Sequence, residues 1–453
     1  MQPFIMNLSD AMRNALFYLT YNGLYNFTNG IGTQTQLLLS GLEQIRARLE
    51  GQYGPLDIHV VAPQPEGETW GYDPAFFHRQ QQRIEALSGR VHLLPFQSDP
   101  QQELWEIRSW DRLSQEAAGL LQAQTAAYDR SLVICIDQPW LHTPLALTAQ
   151  YGGIPPRTDV LLVLYNTAFI RNWDTPDATE AGWEQRGLET ARPGSRVALA
   201  DICPSFTAHL RTHFSLDHAA FAPYTSSILV QDPIFSLHQE AEVHDILRRY
   251  GVPLDADLIL AFGRAAPIKG FERLIPALEP LRHRAHLVLI SVPYLDDDAE
   301  QRLYDQLIER HQISCTHIKQ FTRELPRALC QWRRTKMVVA PSRRETFSNI
   351  PLEVALWARQ QGPVSVTSTA GGFIDQIEPG MTGFLLDIDS RPAMTETLRE
   401  VLQLSPDAHA EIRRRAYQRV AQAYDFTRNF PLTLNAFWGA LTTEKRPAGR
   451  RAP

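Results

Sequence analysis

Short apolar runs, each followed by a longer amphipathic stretch, recur along almost the whole chain and pause once, near residue 232. Each run suits a strand covered on both faces and is too brief for a core helix. Strand patterns that alternate with helical ones specify a parallel, doubly wound α/β sheet. The first series gives strands at 15–20, 58–61, 91–94, 132–136 and 160–164, with a helix at about 33–49. Residues 64–74 read as an exposed loop, and 172–193 as a lid or a loop with a short helix. Residues 226–233 read as the strand and linker that end this series. The second series gives strands at 258–262, 286–290, 317–321, 336–339, 364–367 and 383–386, with closing helices over about 407–441. Two α/β units imply a crevice between them, and such sheets bind ligands outside the carboxyl ends of their strands.

A chain of 453 residues can build two cores without disulfide or metal staples. A net charge of −6 gives no general attraction to nucleic acid or to an anionic membrane, so a phosphate ligand needs a local cationic site. Cys135, Cys203, Cys315 and Cys330 have no metal-ligand spacing and read as buried free thiols, which suit a reducing cytosol. No run has the length of a membrane span, and the N-terminus lacks a basic region before an apolar core. The expected location is therefore cytoplasmic. The basic stretch 445–451 reads as a solvated tail.

The richest chemistry follows the apolar run 337–342. Glu345 falls on a strand-to-helix loop, and Glu353 falls in the first turn of a helix that carries Pro351, with Ser348 or Asn349 as its N-cap. Backbone N–H groups at such a helix mouth suit phosphate. Two carboxylates beside an anion site make sense when they accept hydrogen bonds from hydroxyls that flank the phosphates, as in a nucleotide sugar. Gly263, Arg264 and Lys269 lie on the first loop of the second unit, where a planar fork and a mobile ammonium suit a diphosphate leaving group. Gly30 and Gly32 follow the first strand and let backbone approach a phosphate or sugar. Asp296, Asp297 and Asp298 open a charged helix, where carboxylates need no metal.

The stretch from Glu345 to Glu353 resembles the Glu-x7-Glu motif of retaining glycosyltransferases of family four, which have the GT-B fold. The loop with Arg264 and Lys269 is similar to that family's diphosphate-binding element, and Gly30 and Gly32 to its N-terminal glycine loop. Gly371, Gly372 and Asp375 resemble its Gly-Gly turn, with Asp in place of the usual Glu. The resemblance implies two Rossmann-like domains that face a central cleft. An acceptor domain spans 1–232, a donor domain 233–424, and a C-terminal helix at 425–453 crosses back to the first domain.

It further implies a metal-independent hexosyltransferase without a cofactor, with UDP as the favoured nucleotide and a small soluble acceptor such as a sugar, cyclitol or aglycone. Glu345, Arg264, Lys269 and Asp137 take catalytic roles, and Glu353 holds the ribose. Gly30, Gly32, Gly263, Phe321, Thr346, Phe347, Ser348 and Asn349 join the donor site, with Phe321 at the nucleotide base. Asp137 stands where relatives carry a His, near His142, and Asn166 replaces a second His, so these three fall to the acceptor. The expected chain is a monomer or homodimer that binds no nucleic acid. A nucleotide-sugar-binding protein without catalysis, and an epimerase or phosphorylase of the same fold, are the alternative readings.

Overall fold

The computed structural model describes residues 12–26, 30–65, 72–97, 101–171, 175–293 and 298–439. The apolar runs of the first series become parallel strands β1 (Asn14–Leu19), β2 (Leu56–Pro63), β3 (Gly89–Leu94), β4 (Arg130–Ile136) and β5 (Thr158–Val163). Two further strands, β6 (Val197–Asp201) and β7 (Phe221–Pro223), extend the sheet. Its order is β3-β2-β1-β4-β5-β6-β7, with parallel pairing throughout. Leu132, Val133, Ile134, Cys135 and Ile136 are all buried, because helices cover both faces of the sheet.

The second series forms β8 (Leu258–Ala265), β9 (His286–Pro293), β10 (Cys315–Ile318), β11 (Thr335–Ala340), β12 (Val364–Ser368) and β13 (Phe384–Leu386). These pair in parallel in the order β10-β9-β8-β11-β12-β13. Both lobes thus have a doubly wound order that reverses beside the first strand of the lobe. The reversals lie between β1 and β4 and between β8 and β11, and they open the crevices where such sheets take ligands.

Two local expectations change, and an open one is decided. Residues 226–233 do not form a strand; only Ile228 makes a bridge, to Asp425. Of the two readings of 172–193, the described residues bear out the loop with a short helix: Ala178–Leu188, capped by the Asp177 carboxylate at the N–H groups of Thr179 and Glu180. The first long helix starts earlier than its apolar pattern, at Gly30. Asn29, part of the loop at 64–74, Asp296, Asp297 and the basic stretch 445–451 lie outside the described residues.

Two chain segments cross between the lobes and are tied together. Ile228 N–H donates to the Tyr424 carbonyl at 2.8 Å, and Phe426 N–H donates to the Ile228 carbonyl at 2.9 Å. Beyond this crossing the helix Phe426–Trp438 returns to the first lobe. Its Phe426, Phe430, Leu434 and Trp438 recur every four residues on one face and enter that lobe's core. Polar contacts fix the register: the Tyr53 hydroxyl donates to Asn435 Oδ1 at 2.6 Å, and the Arg130 guanidinium to the Trp438 carbonyl at 2.9 Å.

Candidate functional site

In the second lobe the chain leaves β8 through Gly263 and Arg264, turns at Pro267–Lys269, and enters the helix Phe271–Ala277. The turn needs Gly270, which has φ +70°; a Cβ there would lie 2.1 Å from the Pro341 carbonyl oxygen. This close approach seats the β8 loop on the end of β11. Arg343 N–H donates to the Ile268 carbonyl at 2.8 Å, and the Arg343 guanidinium pairs with Glu272. The loops thereby bring Lys269 Nζ within 2.9 Å of Glu345 Oε2, with both side chains largely shielded from water.

Beyond Glu345 the chain runs to the helix Ile350–Trp357. Ser348 Oγ accepts from Ile350 N–H at 3.3 Å, so Ser348 rather than the Asn349 side chain caps this end. Among the described residues, the N–H groups of Thr346, Phe347, Ser348 and Asn349 have no protein acceptor. Successive free amides at a helix mouth form a concavity that attracts an anion. The Glu345 loop is held from behind by the Gly371 turn. There φ is +47°, and a Cβ would lie 1.6 Å from the Glu345 carbonyl oxygen. Gln376 Nε2 also donates to the Ser348 carbonyl at 2.6 Å. Glu353 is half-buried in the first helical turn, and burial pushes its carboxyl up to about 7. Phe321, past the end of β10, is 61% exposed, with the Arg323 guanidinium 5.7 Å from its ring.

In the first lobe Asp137 follows β4 with φ 59° and ψ −168°, a conformation that favours glycine. Its buried carboxylate accepts from Tyr165 N–H at 2.6 Å and from the Tyr21 hydroxyl at 3.3 Å. Burial pushes this carboxyl up to about 7, and the opposing pull of Tyr165 N–H, Arg171 and Tyr21 is smaller. The Arg171 guanidinium is itself held by Glu180 and Glu184. Gly30 and Gly32 open the helix Gly30–Tyr53 just after the β1 loop.

His142 is held by partners in its own lobe. Its ring stacks on Trp183 with centroids 3.7 Å apart, Nδ1 meets Asp111 at 3.2 Å, and Nε2 meets the Trp183 carbonyl at 2.8 Å. Both ring nitrogens are spent on the protein, which gives His142 a structural place. Asn166 turns its Oδ1 to the N–H of Thr167 at 3.0 Å. Tyr21, Tyr165 and Arg171 were not singled out from the sequence. Tyr21 is separated from Asp137 by 116 residues, and Tyr165 acts through its backbone, so neither leaves a local signal.

The two halves of the site face each other. Ser205 N–H donates to the Asp375 carboxylate at 2.9 Å, and the Arg344 guanidinium donates to the Phe169 carbonyl at 3.1 Å. Cys203 Sγ lies 3.6 Å from the Thr346 carbonyl oxygen. Phe347 packs against the cores of both lobes. Arg264 is exposed and close enough to act electrostatically on the buried Tyr21 hydroxyl. The free thiols Cys135, Cys203 and Cys330 are buried, and Cys315 is half-buried. Among the described residues no helix is long and apolar enough to cross a membrane.

Residues 243–419 match the family model for glycosyl transferases group 1. No curated protein matches the chain. Solved structures match nearly its whole length. Sucrose-phosphate synthase from Thermosynechococcus elongatus superposes with a TM-score of 0.69 at 16% identity, over 93% of this chain and 97% of that one. A glycosyltransferase from Rickettsia africae gives 0.66 at 13% identity, over 95% and 100%. Anabaena HepE, solved in complex with UDP-glucose, gives 0.63 at 14% identity, over 93% and 98%. Sequence and architecture agree: residues 243–419 match the glycosyl transferases group 1 model, and the chain has the GT-B fold of these solved structures.

Proposed function

We propose that the protein is a retaining glycosyltransferase that moves a hexose from a nucleoside diphosphate sugar, with UDP as the favoured nucleotide, to a hydroxyl of a small acceptor. The observation that carries this reading is the Lys269–Glu345 contact of 2.9 Å, which sits at the strand reversal beside the amides of residues 346–349. Cation, carboxylate and anion-binding amides there suit a sugar joined to a diphosphate. HepE, of the same fold, was solved with UDP-glucose.

In this mechanism Arg264, Lys269 and the helix-mouth amides hold the diphosphate and stabilise the charge it gains as the bond from its oxygen to the anomeric carbon breaks. Glu345 orients the sugar. The acceptor oxygen bonds to the anomeric carbon on the face the leaving group quits, and its proton passes to the departing phosphate oxygen. Configuration is kept and charge is balanced without a metal or a resident cofactor. Glu353 accepts from the ribose hydroxyls, Phe321 lies beside the base, and Asp137 accepts from a second hydroxyl of the acceptor, which leaves the reacting hydroxyl's proton to the phosphate oxygen. His142 has no role in this scheme.

Release of nucleotide from UDP-, GDP- and ADP-glucose with an acceptor mixture tests the reading. Acceptor-dependent release by the wild type, reduced roughly 100-fold or more in Glu345→Ala and in Arg264→Ala, is expected. Equal rates in wild type and variants would overturn the site. Turnover of donor into its epimer without acceptor would overturn the reaction.

A further inference from the structure

Asp137 and Tyr21 have a third companion. Trp105, on the connection after β3, meets the Tyr21 ring edge-on with centroids 5.0 Å apart and an interplanar angle of 85°. Trp110 supports it from the other side at 5.9 Å, and Trp110 in turn packs on Trp183 at 5.2 Å. Trp110 and Trp183 are buried, but Trp105 remains 48% exposed. It is thus the outer end of a packed aromatic row, held rigidly with about half of its surface in water.

The other large apolar side chains exposed on the first lobe, among the described residues, are Met12, Tyr151 and, on the returning helix, Leu432. Met12 precedes β1 and Tyr151 precedes β5, so both lie at the opposite, amino edge of the sheet. At the carboxyl edge the exposed half of Trp105 lies beside the phenol of Tyr21, which in turn reaches the Asp137 carboxylate. One flat apolar surface next to hydroxyl-reading groups suits a single saturated ring with hydroxyls on its rim. The C–H bonds of such a ring carry slight positive charge and are drawn to the negative face of an indole.

We infer that Trp105, Tyr21 and Asp137 form the acceptor subsite and that it takes a saccharide or cyclitol ring, stacked on Trp105 with a hydroxyl turned to Asp137. This rests on the transferase reading above and narrows its acceptor. Trp105 contributes affinity and ring selectivity and takes no part in bond making.

The test measures UDP, GDP or ADP release from the matching nucleotide glucose, with glucose, fructose, glucose 6-phosphate, myo-inositol and glycerol as acceptors. Binding of the bare nucleotide is followed in parallel. The wild type should turn over at least one cyclic acceptor faster than glycerol. Trp105→Ala should raise the KM for that acceptor about tenfold or more, leave kcat within about threefold, and leave nucleotide affinity unchanged; Trp105→Phe should recover most of the loss. Intact nucleotide affinity shows that Trp105→Ala is folded. An unchanged acceptor KM in Trp105→Ala overturns the subsite, as does preference for glycerol or failure of every cyclic acceptor while nucleotide still binds. Failure of the wild type to bind any nucleotide sinks the transferase reading itself, a distinct result.

Discussion

At the scale of single residues, Asp137 concentrates what the protein invests in this site. Its backbone occupies a region that costs a non-glycine residue about 1–3 kcal/mol, and its carboxyl is buried. The carboxyl titrates near 7 in the folded protein, mainly through burial, against about 3.9 in an unfolded chain. Between those values the native state holds a proton that the unfolded state has lost. Stability therefore falls as pH rises through the window, and the full penalty stands above pH 7. Asp137→Asn keeps acceptors and donors for Tyr165 N–H and the Tyr21 hydroxyl but removes the charge. It should stabilise the protein above pH 7 by on the order of 2–4 kcal/mol, with the gain fading toward pH 4, while transfer is impaired. Melting curves of both proteins between pH 4.5 and 8.5 check this; a difference that does not vary with pH would contradict it. The sequence marks Asp137 because it ends a strand in a telling place, but it does not mark Tyr21 or Trp105. Their meaning comes from loops that follow three different strands and meet only after folding.

At the scale of elements, the helix Pro204–Phe214 has an unusual cap. Its own N-cap residue, Cys203, makes no side-chain cap, and Ser205 N–H is satisfied instead by Asp375 of the other lobe. A carboxylate at a helix mouth contributes about 1 kcal/mol, so this contact favours the arrangement in which the lobes meet. Asp375→Ala should loosen it, with hydrogen exchange at the Ser205 amide faster by about five- to tenfold and a donor KM raised several-fold. Unchanged exchange at Ser205 would show that the contact carries no weight.

Most elements were legible because their strands are long and apolar on both faces. Those missed had weak signals. β6 is rich in Ala, and β7 is three residues long and ends in Pro223 at the sheet edge. Residues 226–233 looked strand-like, but they cross between lobes and find only the returning chain as a partner. The meeting of Lys269 with Glu345 was readable because Gly263, Arg264 and Lys269 lie on one short loop, and Glu345 to Glu353 on another. The surroundings of Asp137 were not, because they are assembled from distant loops.

At the scale of the whole molecule, two doubly wound lobes turn their carboxyl edges toward one crevice, and the paired crossings at Ile228 and Asp425 join them. In the proposed reaction the second lobe would supply the donor groups and the first the acceptor groups, so closure would both assemble the site and keep water from the donor. The central claim is that the β8 and β11 loops grip a diphosphate. Calorimetric titration of UDP into the wild type and into the double variant Arg264→Ala/Lys269→Ala tests it most directly. The account predicts that UDP binds the wild type and that the double variant, with an unchanged melting temperature, binds about 100-fold or more weakly, a loss of about 2.7 kcal/mol. Equal affinity in the two proteins would contradict it.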